Sequence, residues 1–291
     1  MRKVNDAIRD MLGAYDLSTV ASATDAAREI IQEITLLGLS RSSFFTKAAF
    51  YGGTALRIFH GLDRYSEDMD FSPIHPDVSF DLAEYGKFIV NELAAFGFGV
   101  SFERRKKRVE TRIESAFLKA DTKTQFLLIE NLQILADRLP KGQAIRIKIE
   151  VDTDPPPGFE TERMYHLRPI PFSASVYAMP DLFAGKMHAL LCRDWKGRVK
   201  GRDWYDFVWY VSRDTPLHLA HLDARMLQSG HTKRERELTP ALFRELIRER
   251  IEALNVASAK DDVIRFLSNS ETLSIWTKEF FLAVAEKIRY V

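Results

Sequence analysis

Asp68 and Asp70 flank Met69 in a run, 67–71, that reads as a short β-strand. Alternate strand residues point to one side, so both carboxylates face the same way. Adjacent like charges are costly unless something positive lies between them. A divalent cation is the usual solution, and Mg²⁺ prefers a few carboxylates plus phosphate oxygens. Shortly upstream, Gly52, Gly53 and Thr54 combine a glycine turn, a hydroxyl and a helix start. Bare backbone N–H groups at a helix N-terminus receive phosphate well. A lone D-x-D triplet is common at solvated strand ends; the Gly-Gly-Thr turn before it shifts the balance to a metal–nucleotide site.

Further candidates lie downstream. Glu150 and Asp152 share the polar face of the clearest strand, 144–152, where Ile145, Ile147, Ile149 and Val151 alternate with polar residues. Two-metal nucleotidyl transfer often uses a third carboxylate from a neighbouring strand. Either acid could serve, with the more central Glu150 preferred, and an ordinary polar face beside Arg146 and Lys148 is the plain alternative. Lys186 sits in a mostly apolar helix, as a snorkelling rim residue or a phosphate ligand. Arg193, Lys196, Arg198, Lys200 and Arg202 surround Trp195, a mixture suited to phosphate contact and base stacking or to a solvated loop. Asp203 and Asp206 follow, to orient those cations, complete a site or cap a helix. Ser66 precedes Asp68 by two residues, which places its hydroxyl near the metal site. The cationic run 104–108 reads as a solvated rim or an RNA contact. His60, His166 and His188 lack metal-ligand spacing and read as structural. Cys192 reads as a small buried helix residue.

The elements that position these groups follow from periodicity. Residues 25–37 carry a helical apolar stripe at Ile30, Ile31, Ile34 and Leu37, with Gly38 as a stop signal. A weaker helix is expected over 4–15. A short apolar run at 47–51 precedes the glycines, and Thr54 is expected to cap a helix to His60, ended by Gly61. Another helix spans 80–96, and strands are expected at 98–103 and 117–119. Asp154-Pro-Pro-Pro-Gly158 forms a rigid loop. Beyond Pro180 helices are expected over 181–193, 203–211, 217–227, 240–254, 258–266 and 274–288, with Thr239-Pro240 a strong start signal. Strands therefore concentrate early and helices late: an α+β domain over 1–178 and a helical domain over 179–291 that completes the active-site cleft.

Composition bounds the alternatives. The 291 residues suit one large domain or two ordinary ones. A net charge of +1 means any nucleic-acid partner must be met by a local patch. A single cysteine excludes an internal disulfide and a Cys-rich zinc site. No apolar run approaches the ~18–20 residues of a membrane span, and no apolar core follows the basic N-terminus. The expectation is a soluble cytoplasmic protein without a membrane partner.

The order of Gly52-Gly-Thr-Ala-Leu-Arg57, Arg64-Tyr-Ser-Glu-Asp-Met-Asp-Phe71, Gly185-Lys186 and Gly201-Arg-Asp-Trp-Tyr-Asp206 resembles the AbiEii/AbiGii toxin family. These are nucleotidyltransferase-like toxins of bacterial toxin–antitoxin and phage-defence systems, and the resemblance runs over about residues 25–215 of this chain. It implies a polymerase-β-like nucleotidyltransferase core with a mixed sheet, then a helical domain. It also implies transfer of a nucleotide from an NTP to an acceptor, in known members the 3′ end of tRNA, which blocks translation. Carried over, Asp68 and Asp70 bind Mg²⁺ (or Mn²⁺), with Glu150 as the less uniform third acid. Gly53 and Thr54, beside Gly52, hold the triphosphate, Lys186 binds phosphate with Arg193 and Arg202 nearby, and Asp203 is the later essential acid. Ser66 matches a serine that some antitoxins modify, so a cognate antitoxin is an implied partner. Readings that remain open are nucleotidylation of a protein, phosphoryl transfer, and a non-catalytic RNA- or partner-binding module.

Overall fold

The computed structural model describes residues 6–104, 122–131, 145–193, 199–233 and 237–291. The cations at 105–108, the strand expected at 117–119, and Trp195, Lys196 and Arg198 lie outside the described residues. Two compact units emerge. One is drawn from 1–61, 65–155 and 162–176, the other from 62–64, 156–161 and 177–291.

The first unit holds α1 (Asp6–Leu12), α2 (Val20–Ser40), α3 (Phe44–Lys47), β1 (Ala48–Tyr51), α4 (Gly52–His60), β2 (Met69–Pro73) and α5 (Gly86–Ala95). It continues with β3 (Gly99–Arg104), β4 (Thr122–Asn131), β5 (Ile145–Asp152), β6 (Thr161–His166) and β7 (Phe172–Tyr177). These strands form one mixed sheet in the order β3-β4-β5-β2-β1-β7-β6. Strand β2 runs antiparallel to β1 and parallel to β5, while β1 runs parallel to β7. The site-bearing strand thus lies in the middle of the sheet, where both neighbours fix its register.

Alternation decides the two faces. Ile145, Ile147, Ile149 and Val151 of β5 are buried, and so are Met69 and Phe71 of β2. Phe71 meets Phe44 edge-on at 5.0 Å and stacks with Phe50 at 4.8 Å. That aromatic cluster fixes which way β2 presents its even-numbered positions.

Several sequence expectations need correction. Helix α2 does not stop at Gly38 but continues to Ser40. Gly38 is there for packing: a Cβ would lie 2.9 Å from the Phe88 carbonyl oxygen and 3.0 Å from the Ile89 Cα, both on α5. Strand β2 begins at Met69 rather than Glu67 and runs through Ser72 to Pro73, which pairs with Ala48. Proline is tolerated because it falls at the strand's last residue. Helix α4 starts at Gly52 with Tyr51 at the N-cap, so Thr54 is its third residue and not its cap. Gly61 ends it as expected, in the left-handed region at φ 73°. Strands β4, β6 and β7 are additions to the sequence reading.

The second unit is helical: α6 (Met179–Cys192), α7 (Gly201–Ser212), α8 (Leu219–Gln228), α9 (Pro240–Glu252), α10 (Val256–Val263) and α11 (Lys278–Ala285). Thr239 caps α9 through the Leu242 N–H, with Pro240 in the first turn. Helix α7 starts two residues earlier than periodicity indicates. Gly201 lies against α10, its N–H donates to Asp262 at 3.0 Å, and a Cβ would lie 1.9 Å from the Ala259 carbonyl oxygen. Gly201→Ala should therefore cost about 3 kcal/mol or more, the upper end for overpacking against a rigid partner. Urea unfolding followed by circular dichroism reads this as a lower midpoint at constant slope.

Candidate active site

The acidic face belongs to the first unit. Asp68 is exposed, Met69 buried and Asp70 half-buried, the alternation expected of two carboxylates on one side. Tyr51, Asp70 and Glu150 are direct partners across β1, β2 and β5, so they form one row on one face. Adjacent strands lie about 4.8 Å apart, which sets Asp70 and Glu150 side by side. Asp152 lies one pleat further along β5, is buried, and accepts a hydrogen bond from the Asp154 N–H at 3.3 Å. Glu150 is ion-paired to Lys148 at 2.6 Å, so a cation of the protein's own meets this face. No trio of these carboxylates converges within 4.8 Å.

Gly52 is the first residue of α4, with φ +84°. A Cβ there would lie 2.4 Å from Asp70 Oδ2, so only glycine lets the helix N-terminus meet this carboxylate. The N–H groups of Gly52 and Gly53 are in the first turn, where no intrahelical carbonyl receives them. Thr54 is fully buried and its hydroxyl donates to the Asp68 carbonyl, tying the helix to the acidic segment.

Helix α2 supplies the scaffold. Glu29, Gln32 and Glu33 are buried beside Ile30, Ile31 and Ile34. Glu29 holds Arg57 of α4 at 2.8 Å. The Gln32 amide donates to the carbonyls of Ser66 and Glu67, at 3.2 and 3.1 Å, and so sets the chain entering β2. Glu33 pairs with Arg168 at 2.9 Å and lies 3.0 Å from His166. Ser66 itself is half-buried. These α2 side chains were missed in the sequence, although polar residues at i, i+3 and i+4 inside a buried stripe are the signal that finds them.

A second cluster lies in the helical unit. Lys186 Nζ is 2.8 Å from both Asp203 Oδ1 and Asp206 Oδ2. Arg64 grips Asp206 with two bonds of 2.6 Å each. Arg64, Asp203 and Asp206 are all buried, so neither aspartate is a surface cap. Burial pushes the Asp206 carboxyl upward, but Arg64 and Lys186 outweigh it and hold it below the usual carboxylate range. Burial likewise opposes the Arg64 charge, and Asp206 restores it and raises the guanidinium further. Arg64 carries no role in the sequence reading beyond the motif, whereas Asp206 is expected there to orient nearby cations, complete a site or cap a helix; the bidentate pair unites the two.

The remaining sequence candidates are placed elsewhere. Arg193 is exposed, and its carbonyl accepts from Arg250 at 2.7 Å. Arg202 is half-buried, with its guanidinium 4.1 Å from the Phe266 ring centre.

A mixed sheet with an acid row beside a helix N-terminus, and a helical C-terminal part, is the architecture expected of a nucleotidyltransferase of the polymerase-β type. The family model "Nucleotidyl transferase AbiEii toxin, Type IV TA system" matches residues 34–284, and the chain belongs to this family. It is accordingly a nucleotidyltransferase toxin of a type IV toxin–antitoxin system, which implies an NTP substrate and an antitoxin partner. Among solved structures, the fold is similar to MenT4, a nucleotidyltransferase toxin from Mycobacterium tuberculosis H37Rv. That likeness has a TM-score of 0.51 and 18% identity, covering 96% of this chain and 93% of the other. JHP933 from Helicobacter pylori is also similar, at TM-score 0.49 and 13% identity, covering 90% of each chain. No curated protein matches the chain by sequence.

Arg64→Ala leaves Asp206 buried without its bidentate partner, and should cost about 3–5 kcal/mol by chemical denaturation. The Asp206 carboxyl has a folded pKa below its ordinary 3.8. The unfolded chain therefore binds this proton more readily. The stabilisation is complete above that ordinary value and is lost as pH falls through the lower folded value. Melting temperature should accordingly fall steeply below about pH 4, a range set by the ordinary carboxylate value.

Proposed function

We propose that the protein is a Mg²⁺-dependent toxin that transfers a nucleotide from an NTP to the 3′ end of tRNA and so inhibits translation, as a phage-defence or related growth-arrest factor in the cytoplasm. The observation that carries this reading is Gly52, whose missing side chain brings the first turn of α4 against Asp70.

The residues fit the metal. Asp68 and Asp70 offer hard oxygen donors beside a backbone cradle that a Cβ at position 52 would fill. Glu150 lies in register with Asp70 and joins them by exchanging Lys148 for the ion. When bound, Mg²⁺ supplies positive charge to the triphosphate and to the acceptor oxygen. The Gly52 and Gly53 N–H groups receive phosphate oxygens at the helix N-terminus. Thr54 acts by fixing the Asp68 backbone through its hydroxyl bond. Lys186, with its ammonium oriented by Asp203 and Asp206, is assigned to phosphate charge. In the reaction the acceptor hydroxyl oxygen bonds to the α-phosphorus, the bond to the bridging oxygen breaks, pyrophosphate leaves, and the hydroxyl proton passes to solvent. Ser66, two residues before Asp68, is the position where modification would disturb the acidic face.

Incubation with each labelled NTP, total tRNA and cell lysate should label tRNA and release pyrophosphate. Label in protein would replace this acceptor with a side chain, and ADP release would indicate phosphoryl transfer. Asp70→Ala should lower transfer by at least about 10³-fold, within the range for loss of a principal electrostatic group. It should also abolish toxicity with an unchanged circular dichroism spectrum; an active variant would sink the assignment.

A further inference from the structure

In the helical unit, His188, Cys192 and His231 each offer a ligand atom within 4.8 Å of the others. His188 and Cys192 are four residues apart on α6, hence on one helix face. His231 follows Gly230, whose φ of 76° turns the chain after α8. The His231 N–H donates to the Met226 carbonyl at 2.8 Å, which fixes the turn. The Ser229 hydroxyl lies 2.8 Å from His188 Nε2 and 2.9 Å from His231 Nδ1, so the two imidazoles are already gathered about one oxygen.

We propose that His188, Cys192 and His231 form a Zn²⁺ site that ties the last turn of α6 to the loop after α8. Thiolate and imidazole are the donors this borderline ion prefers, and carboxylates are not needed. Zinc–ligand bonds of about 2.0–2.3 Å put tetrahedral donors roughly 3.5 Å apart. Drawing the three together takes a shift of roughly an ångström, which the exposed His231 can supply. The fourth position falls to the Ser229 hydroxyl or to water. Burial holds the Cys192 thiol up at about 11, while Arg250, Arg193 and Arg225 pull it down. Binding breaks the S–H bond, forms the S–Zn bond and releases the proton to solvent, with no change of oxidation state. The same arginines oppose a dication but favour the thiolate that ligates it. The spacing H-x₃-C on one helix, with a histidine 39 residues on, is the sequence trace of this site.

Full-length protein stripped with a chelator would be titrated with Zn²⁺ alone, by calorimetry in buffers of different ionisation enthalpy, and with Co²⁺ by absorption. The expected result is one ion per chain, net proton release, and a thiolate-to-cobalt charge-transfer band. Cys192→Ser should remove the band. His231→Gln, at an exposed position that leaves the core intact, should weaken zinc binding by at least about ten-fold, the lower end of what changes around a bound metal cost. Binding at the carboxylates alone gives no thiolate band. Absence of that band in the wild type, or unaltered zinc affinity in His231→Gln, would overturn the proposal.

Discussion

The site-bearing face of the first unit depends on the close approach of the Gly52 backbone to the Asp70 carboxylate. Two favourable effects meet there: the positive end of α4 attracts an anion, and the missing Cβ allows it to approach. Neither works alone. An alanine at 52 would occupy the space of Asp70 Oδ2, and a strand slipped by one residue would turn Asp70 into the core. The surrounding structure defends this geometry from several sides. Thr54 ties α4 to the Asp68 carbonyl, Glu29 holds Arg57 at the helix's far end, and Gln32 holds the carbonyls of Ser66 and Glu67. Phe71, packed among Phe44 and Phe50, fixes the opposite face of the strand.

That arrangement explains why α2 is buried around most of its circumference yet carries Glu29, Gln32 and Glu33 inside. Burying such groups is unfavourable unless each is bonded. Here each is bonded to a separate segment: helix α4, the chain entering β2, and the loop between β6 and β7. An apolar α2 would be easier to bury but would leave those segments unpositioned. The polar residues serve geometry more than stability, which is the use for which buried polar groups are best suited.

Much of this was legible in the sequence. The glycine pair and the D-x-D spacing located the acidic face, and strict alternation located β5 and its polar side. What escaped was set by tertiary contact. Gly38 and Gly201 have the composition of stop signals or links, yet each is a small residue at a close crossing, where the neighbouring backbone rather than local propensity decides. Thr54 has the chemistry of a cap, but Gly52 tolerates the positive φ that starts the helix three residues sooner. Arg64 and Asp206 are 142 residues apart in the chain. No local pattern pairs them, and only the fold shows that the arginine of one motif neutralises the last aspartate of another.

The charges of that pairing bear on what Lys186 is for. Arg64 already bonds both oxygens of Asp206. Lys186 is nonetheless held by Asp206 and by Asp203, more carboxylate than one ammonium requires. Among the described residues Asp203 Oδ2 is buried with no hydrogen-bond partner, a condition that costs about 1–3 kcal/mol in a purely structural bridge. A network built only for stability would close that valence or replace the whole group with apolar side chains. An acceptor left unmet beside a lysine fixed from two sides is therefore a departure from what burial alone rewards.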